Sequence, residues 1–508
     1  MIDKIKKARL EKLKKIVSAG IDAYPAKASR THTISEAICD FDKFSAEKKE
    51  IILTGRIRSW RAHGGSTFAN IEDETGGIQI YFKKDVLGED GYKFLENFDV
   101  GDFIECAGAL FATKKNEKTL LISGYKILTK SLLPLPDKWY GLEDKEIRFR
   151  KRHLDLIMNK GVRERFIIRS KIIKELRNLL EKEGFIEMET PILQLIPGGA
   201  AAKPFITRHD ALDIDLYLRI SKEMHLKRLV VGGFEKVFEI GRDFRNEGID
   251  RQHNPDFTMC EFYWAYKDYN DLIEFTQNLL SQIVQKIKGG LVFAYQGKKI
   301  DFSLPWKRVK FTDAIKDASG IDILETKNIN ELRKKIEKLG IKIKESPNYG
   351  KLVDELYKET VRKNISSPIV FTDYPVELGP LAKSSAGDKR IVERFQMVAN
   401  GFELVNAYSE LNDPIEQHRR LKEQVAKHKA GDKESPKEVD EDYIEALEYG
   451  MPPTAGEGIG IDRFAALLTD SPSLREIILF PTMRPERSAS NSKSQAPNPK
   501  QIKNSKKN

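Results

Sequence analysis

A chain of 508 residues, 40% hydrophobic and 32% charged, is long enough for two to four domains of roughly 150 residues and an ordinary buried core. Its cysteines, Cys39, Cys106 and Cys260, lie far apart without C-x-x-C spacing, which argues against a disulfide framework and a cysteine-held zinc site. No apolar run approaches ~20 residues, so no membrane span is expected. The net charge of +10 permits a polyanionic partner without requiring one.

Residues 1–50 read as an N-terminal helical extension. Ile2, Ile5, Leu13, Ile16 and Val17 fall near helical spacing, and Gly20 and Pro25 end the element. The basic start is followed by no apolar signal region, so a cytoplasmic location is expected. Residues 51–130 change character, with IILTGRIRSWRA, STFANIEDETGGIQIYF, DFIECAGALFA and TLLISGYKILT as short β-rich runs. Such strands in ~80 residues predict a small barrel of the OB type, a scaffold that binds single-stranded nucleic acid by stacking and basic groups. Phe68 and Gln79 fall on neighbouring strands, with Arg61 just upstream; taken alone, Phe68 reads as core. Residues 131–150 carry two prolines in an extended pattern and read as a linker. From 151 to 487 helices and strands alternate, with a lysine-rich helical stretch over 310–365. The tail 488–508 has almost no apolar residues and should be disordered.

Three stretches in the large C-terminal part carry chemistry. EKVFEIGRDFRNEG and DFTMCEFYWAY alternate around a polar loop and predict an antiparallel hairpin. Period two puts Arg245 and Glu247 on one face of the first strand. On the second it puts Phe257, Met259, Glu261 and Tyr263 on one face, and Phe262, Trp264 and Tyr266 on a core-packing other. Phe257 and Glu261 are then about 13 Å apart, a span suited to a ligand with a ring at one end and a cation at the other. FELVNAYSELNDP places Asn406, Tyr408 and Glu410 together. Two glutamates facing one pocket repel unless a cation, either a ligand or an internal lysine or arginine, lies between them. GMPPTAGEGIGIDR sets Gly456, Gly458 and Gly460 before Asp462, Arg463 and a helix. It lacks the ending of a P-loop and the spacing of a Rossmann fingerprint.

FRNEG, GIGIDR and GFIEMETPIL (184–193) resemble motifs 2, 3 and 1 of class II aminoacyl-tRNA synthetases. With LIPGGAAAKPFIT (195–207), YLRISKEMHLKRLVVGG (217–233), RHLDLI (152–157), NAYSELNDP (406–414) and GMPPTAG (450–456), the resemblance is to lysyl-tRNA synthetases over roughly residues 5–487. It implies an α+β protein: an N-terminal OB-fold barrel, then a catalytic domain with a mainly antiparallel sheet flanked by helices. It implies ATP and L-lysine as substrates, tRNA(Lys) as partner, Mg²⁺ as cofactor and a homodimer built through motif 1, which ends at Pro191. Arg245 and Arg463 are implied as catalytic arginines. Arg245 would bridge the α-phosphate and the substrate carboxylate; Arg463 would stack on adenine opposite Phe257. Glu247 and His253 would contact the adenine amino group and the outer phosphates. Gly199 and Glu223 would hold the α-ammonium, Asn406 the carboxylate, and Glu261, Glu410 and Tyr263 the ε-ammonium, with Tyr408 lining the pocket. Glu403 would be one Mg²⁺ ligand. The second acid position holds Gln396, a departure that puts the metal count in doubt. Strict alternation sets Glu403 opposite Asn406 and Glu410, so a bulge is required. Arg61, Phe68, Gln79 and Glu117 would read a U-rich anticodon. An aspartyl- or asparaginyl-type relative is disfavoured by the acids Glu261 and Glu410, because an acidic substrate calls for a basic pocket. A protein-lysylating relative is disfavoured by the OB domain, and an inactive tRNA binder by the intact arginines and acids.

Overall fold

The structure, a computed structural model, describes residues 2–136, 142–326, 328–342 and 348–485; the predicted tail lies outside the described residues, as does part of the linker. The chain divides into two units, Met1–Glu143 and Asp144–Asn508.

In the first unit, β1 (Glu50–His63), β2 (Ser66–Glu72), β3 (Gly77–Lys83), β4 (Phe103–Ala112) and β5 (Lys118–Thr129) close a barrel in the order β1-β2-β3-β5-β4. β1 over its first half, and β2, β3 and β4, alternate buried with half-buried positions. Ile51, Leu53, Ile71, Ile80, Ile104 and Leu120 fill the interior and leave the intervening side chains outside. The first helix, Ile2–Ser18, ends before Gly20, whose φ of +75° a side chain would oppose. Its Ile16, with Ile34, Ala37, Phe41 and Phe44 from two short helices, packs into the barrel core. Arg9 leaves the solvated face of this helix. It is buried and donates to the carbonyls of Val100, Ser131 and Leu133 at 2.9, 3.0 and 2.9 Å. Helix and barrel therefore form one folding unit.

The second unit is built on β6 (Ile186–Glu187), β7 (Leu193–Gln194), β8 (Ile206–His209), β9 (Ile214–Leu218), β10 (Lys236–Phe244), β11 (Asp256–Ala265), β12 (Val292–Tyr295), β13 (Lys298–Asp301), β14 (Lys307–Lys310), β15 (Ile369–Pro375), β16 (Ile391–Ala399), β17 (Phe402–Ser409) and β18 (Thr454–Gly460). Eight of them form one sheet, β14-β15-β16-β17-β18-β11-β10-β6, antiparallel except where β14 meets β15 and β6 meets β10. One sheet face is apolar: Phe238, Cys260, Phe262, Phe395, Met397, Ala407 and Ile459 pack against the helices Lys160–Lys182, Tyr269–Lys288 and Ile461–Leu468. The opposite face carries the polar residues of the same strands. The lysine-rich stretch folds as the helices Phe311–Ser319, Ile329–Lys338 and Tyr349–Thr360 around Leu332, Leu352 and Leu356.

Three local expectations are corrected. Lys145–Arg150, expected as linker, is a helix capped by Asp144, which accepts from Ile147 N at 3.0 Å. β10 stops at Phe244, so Arg245 and Glu247 belong to the hairpin loop; Arg245 N donates to Pro255 O at 2.8 Å and closes it. Tyr266 is no core residue. It follows the end of β11 with φ +62°, where the chain turns and its N–H reaches Pro453 O at 2.6 Å, leaving the ring 66% exposed. The bulge required near Glu403 is present: Met397 pairs with Val405 but Val398 with Glu403.

Glu457 interrupts the apolar face. It is 2% exposed and accepts from Thr276 Oγ1 at 2.5 Å, and burial pushes its carboxyl up to about 8. Ionising it in the fold is thus costlier than in the unfolded chain, and the penalty grows as pH rises from about 4.5 to about 8. Glu457→Gln keeps the acceptor and removes the titration. Urea unfolding should show it gaining stability over wild type on the order of a few kcal/mol at pH 8 and little at pH 4.5; an equal difference at both pH values would contradict a neutral buried Glu457.

Candidate active site

The polar sheet face floors a cavity of ≈ 1570 Å³. β18 supplies the floor without side chains. Gly458 lies between Glu261 on β11 and Asn406 on β17, and Gly456 between Tyr263 and Tyr408. A Cβ on Gly456 would overlap both the Glu410 carboxylate and the Tyr263 ring. Gly199, at φ +86°, comes so close to the helix Glu223–Val231 that a Cβ would sit 2.8 Å from Ser221 Oγ and 2.9 Å from Glu223 Cβ. Glycines at these positions keep the pocket open.

One end of the cavity is acidic. Glu261 is 4% exposed and accepts from Ser221 Oγ at 2.9 Å and from the backbone N–H of Lys222 at 3.2 Å; Tyr263 Oη lies at 3.4 Å. Glu223 accepts from Tyr408 Oη at 2.6 Å and pairs with Lys227. Glu410 stands behind the lining, against Tyr263 and Gly456, and pairs with the same Lys227. Burial pushes Glu410 well above the usual carboxylate range and raises Glu223, with Lys227 opposing in both cases. Among the described residues Glu261 has no ion-pair partner of its own. Three buried carboxylates with one buried ammonium between two of them make a site that attracts cations.

The other end is basic. Arg245, Arg362, Arg394 and Arg463 all line the cavity. Arg245 lies over the Phe257 ring, 4.9 Å from its centroid. Arg463 donates to Glu403 O at 3.1 Å, and Arg394 Nε to Asn406 Oδ1 at 2.8 Å. Burial lowers the Arg463 guanidinium; Glu403 opposes the shift, and the neighbouring Arg362 and Arg245 add to it. Burial acts to raise Glu403, but Arg463, Arg362, Arg394 and Arg245 together hold it below its usual range. Such an arginine cluster suits a polyanion. Glu247, His253 and Phe257 also border the cavity, His253 with Nδ1 2.9 Å from the Asp250 carboxylate.

The model of class II tRNA synthetases (D, K and N) matches residues 144–484, and that of the OB-fold nucleic acid binding domain residues 51–128. A lysine–tRNA ligase of Carboxydothermus hydrogenoformans is 47% identical over 95% of this chain and 99% of its own length. One from Pelotomaculum thermopropionicum is 47% identical over 95% and 96%, and one from Clostridium tetani 46% identical over 94% and 95%. The chain belongs to the lysine–tRNA ligase family of class II tRNA synthetases.

Most residues that the family resemblance singles out in the catalytic unit meet in this cavity; Glu410 and Gln396 do not line it. Gln396 is 7% exposed and accepts from Tyr374 Oη at 2.9 Å, which ties its amide into the packing around Tyr374. Among the described residues no group of three His, Cys, Asp or Glu could hold a metal ion. Glu403 is the acid of the expected metal pair that faces the cavity. The residues therefore fit a cation that brings most of its ligands with it, as Mg²⁺ does when bound to phosphates and water. Sequence reading missed Arg394, Arg362, Ser221 and Lys227. Arg362 lies in the lysine-rich stretch 310–365, where no motif marks it, and Lys227 had one signal, its i,i+4 spacing from Glu223.

On the barrel, Arg61 pairs in register with Phe68, Phe68 with Tyr81, Asn70 with Gln79, and Gln79 with Thr119. Phe68 is not core: it lies on the half-exposed face, stacked on Tyr81 with centroids 4.4 Å apart and planes at 10°. Phe111 adds a third ring at 6.2 Å from Tyr81. Gln79 Oε1 accepts from Thr119 Oγ1 at 2.9 Å, and the exposed Glu117 precedes that strand. Tyr81 could have been read from its alternation with Gln79.

Gly456→Ala should be a more severe change than its size suggests. It forces Glu410 and Tyr263 apart, and chemical denaturation should show a loss of about 1–3 kcal/mol; wild-type stability would mean that the pocket wall yields freely.

Proposed function

We propose that this chain activates L-lysine with ATP, releasing pyrophosphate, and transfers the lysyl group to the 3′-terminal adenosine of tRNA(Lys). The single observation that carries the reading is the polarised cavity, with buried carboxylates at one end and four arginines at the other. Lysine has a cation at its side-chain tip and a carboxylate at its reactive end, and the cavity has the complementary order.

The lysine carboxylate is itself the nucleophile. It attacks the α-phosphorus of ATP and pyrophosphate leaves; in the second step an adenosine hydroxyl attacks the acyl carbon and AMP leaves. No general base is essential to the first step, which needs positioning and neutralisation of negative charge. Arg245 serves both, because its planar fork can reach the α-phosphate and the amino-acid carboxylate together. Its guanidinium now covers Phe257, so adenine that stacks there displaces Arg245 towards the phosphates. Arg463 closes the other side of the adenine, with Glu247 and His253 at the adenine edge and outer phosphates. Asn406, oriented by Arg394, supports the lysine carboxylate. Glu223 with the Gly199 backbone takes the α-ammonium, and Glu261, Tyr263 and Glu410 the ε-ammonium, with Tyr408 in the wall. An uncharged amino acid would leave these buried acids unpaired and be rejected strongly. Mg²⁺, arriving with ATP, would neutralise phosphate charge, with Glu403 as its protein ligand and no help from Gln396.

In the first unit, the rings Phe68 and Tyr81 with Arg61, Gln79 and Glu117 support recognition of unstacked anticodon bases. The expectation of a two-fold dimer is supported by the motif 1 segment and the residues that follow it, where Ile186, Ile192, Leu193 and Leu195 are 45–62% exposed. No helix among the described residues is long and apolar enough to cross a membrane.

The decisive test is ATP–pyrophosphate exchange with each of the twenty amino acids. Exchange with lysine alone is expected; exchange driven by another amino acid would refute the pocket assignment. Glu261→Gln should raise the lysine KM about 100-fold or more, since it removes a buried charge-assisted contact worth roughly 3 kcal/mol; an unchanged KM would take Glu261 out of the pocket. Phe68→Ala should weaken tRNA charging at least about fivefold, the loss of one stacked base, while leaving exchange intact. Equal loss of both activities would point to a folding defect instead.

A further inference from the structure

Lys227 has no role in the reaction described above, yet it occupies the centre of the acidic end. It projects from the helix Glu223–Val231, one turn after Glu223, and is fully buried. Its ammonium pairs with Glu223 on its own helix and with Glu410 at the end of β17. It lies 5.6 Å from the Tyr408 ring centroid and 5.9 Å from that of Tyr443 on the helix Glu441–Glu448. From β11, Glu261 and Tyr263 face the same cluster. A lysine with no access to water is costly unless its charge is matched, and here it is matched twice.

We propose that Lys227 is a positioning and specificity-determining residue for the amino-acid substrate. Its ammonium bridges Glu223 and Glu410, offsets their mutual repulsion and sets the charge left for the substrate to balance. With lysine bound, its two ammonium groups and that of Lys227 match the three carboxylates one for one; the substrate carboxylate meets the arginines instead. Without Lys227 the two acids it bridges would repel, one would take up a proton, and Glu410 would lose its orientation towards Tyr263 and the ε-ammonium. Glu410 does not line the cavity directly, so its hold on the substrate depends on how it is placed. Tyr408, which donates to Glu223, completes the same arrangement from the other side. This inference rests on the lysine reading of the pocket, and the experiment separates the two.

The test is pyrophosphate exchange with the full-length enzyme and the variants Lys227→Met, Glu410→Gln and the double substitution. Lys227→Met should raise the lysine KM at least ~10-fold and leave the ATP KM within about twofold. A merely structural lysine would move both or neither. If Lys227 acts through Glu410, the double variant should be no worse for lysine than Glu410→Gln alone. The double variant removes a cation and an anion together, so the comparison with Glu410→Gln stands even where Lys227→Met alone fails to fold. A wild-type lysine KM in Lys227→Met, or a double variant in which the two effects multiply, overturns the proposal. Absence of lysine-dependent exchange in the wild type overturns the lysine reading itself.

Discussion

Carboxylates collected in one dry pocket are the constraint around which the catalytic unit is arranged. Glu223, Glu261 and Glu410 would not stay ionised together in a buried site without compensation. The chain supplies part of it from within: Lys227 between two of the acids, the Ser221 hydroxyl and the Lys222 backbone on the third, and tyrosine hydroxyls at the edges. The rest is left for a ligand. A pocket in this condition binds a cation with a strength and selectivity that an apolar cleft of the same shape could not reach.

The sheet makes such a pocket possible because its two faces are used for opposite purposes. Period two along β11, β17 and β18 sends Cys260, Phe262, Ala407 and Ile459 into the apolar layer and Glu261, Tyr263, Asn406 and Tyr408 into the cavity. The helices behind the sheet hold the strands in register, so the polar face can be nearly free of packing duties. β18 is the exception in composition. Glycines on its pocket side leave the room that the carboxylates and rings occupy, while Glu457 on the core side stays neutral beside Thr276. The arginine end obeys the same electrostatic logic with the sign reversed: mutual repulsion among Arg245, Arg362 and Arg463 is relieved only partly by Glu403, and an anionic ligand relieves the remainder.

The barrel repeats the division between faces in a smaller form. Aliphatic side chains fill it, and the alternate positions of β2 and β3 bring Phe68 and Tyr81 into a stack on the half-exposed side. Stacked rings held by strand register are already ordered before a base arrives, which lowers the entropy lost on binding.

By itself the sequence determined the barrel and the catalytic hairpin, through period-two alternation and turn residues. The bulge before Asn406 and most of the residues that meet in the cavity were legible only through the resemblance of the motifs to a known family. Only the tertiary structure decided which charges meet across elements. Lys227 is one turn from Glu223 in the chain, but its contact with Glu410 spans a helix and a strand that no periodicity relates. The placement of Gln396 against Tyr374, of Arg362 at the cavity, and of Tyr81 beneath Phe68 likewise depends on pairing between separate elements. Strand ends were also beyond pattern reading. Alternation continues through Arg245 and Tyr266 in the sequence, whereas hydrogen bonds to Pro255 and Pro453 turn the backbone out of the sheet at those points. Local pattern sets which face a residue takes within its element; long-range pairing sets which charge or ring it meets there.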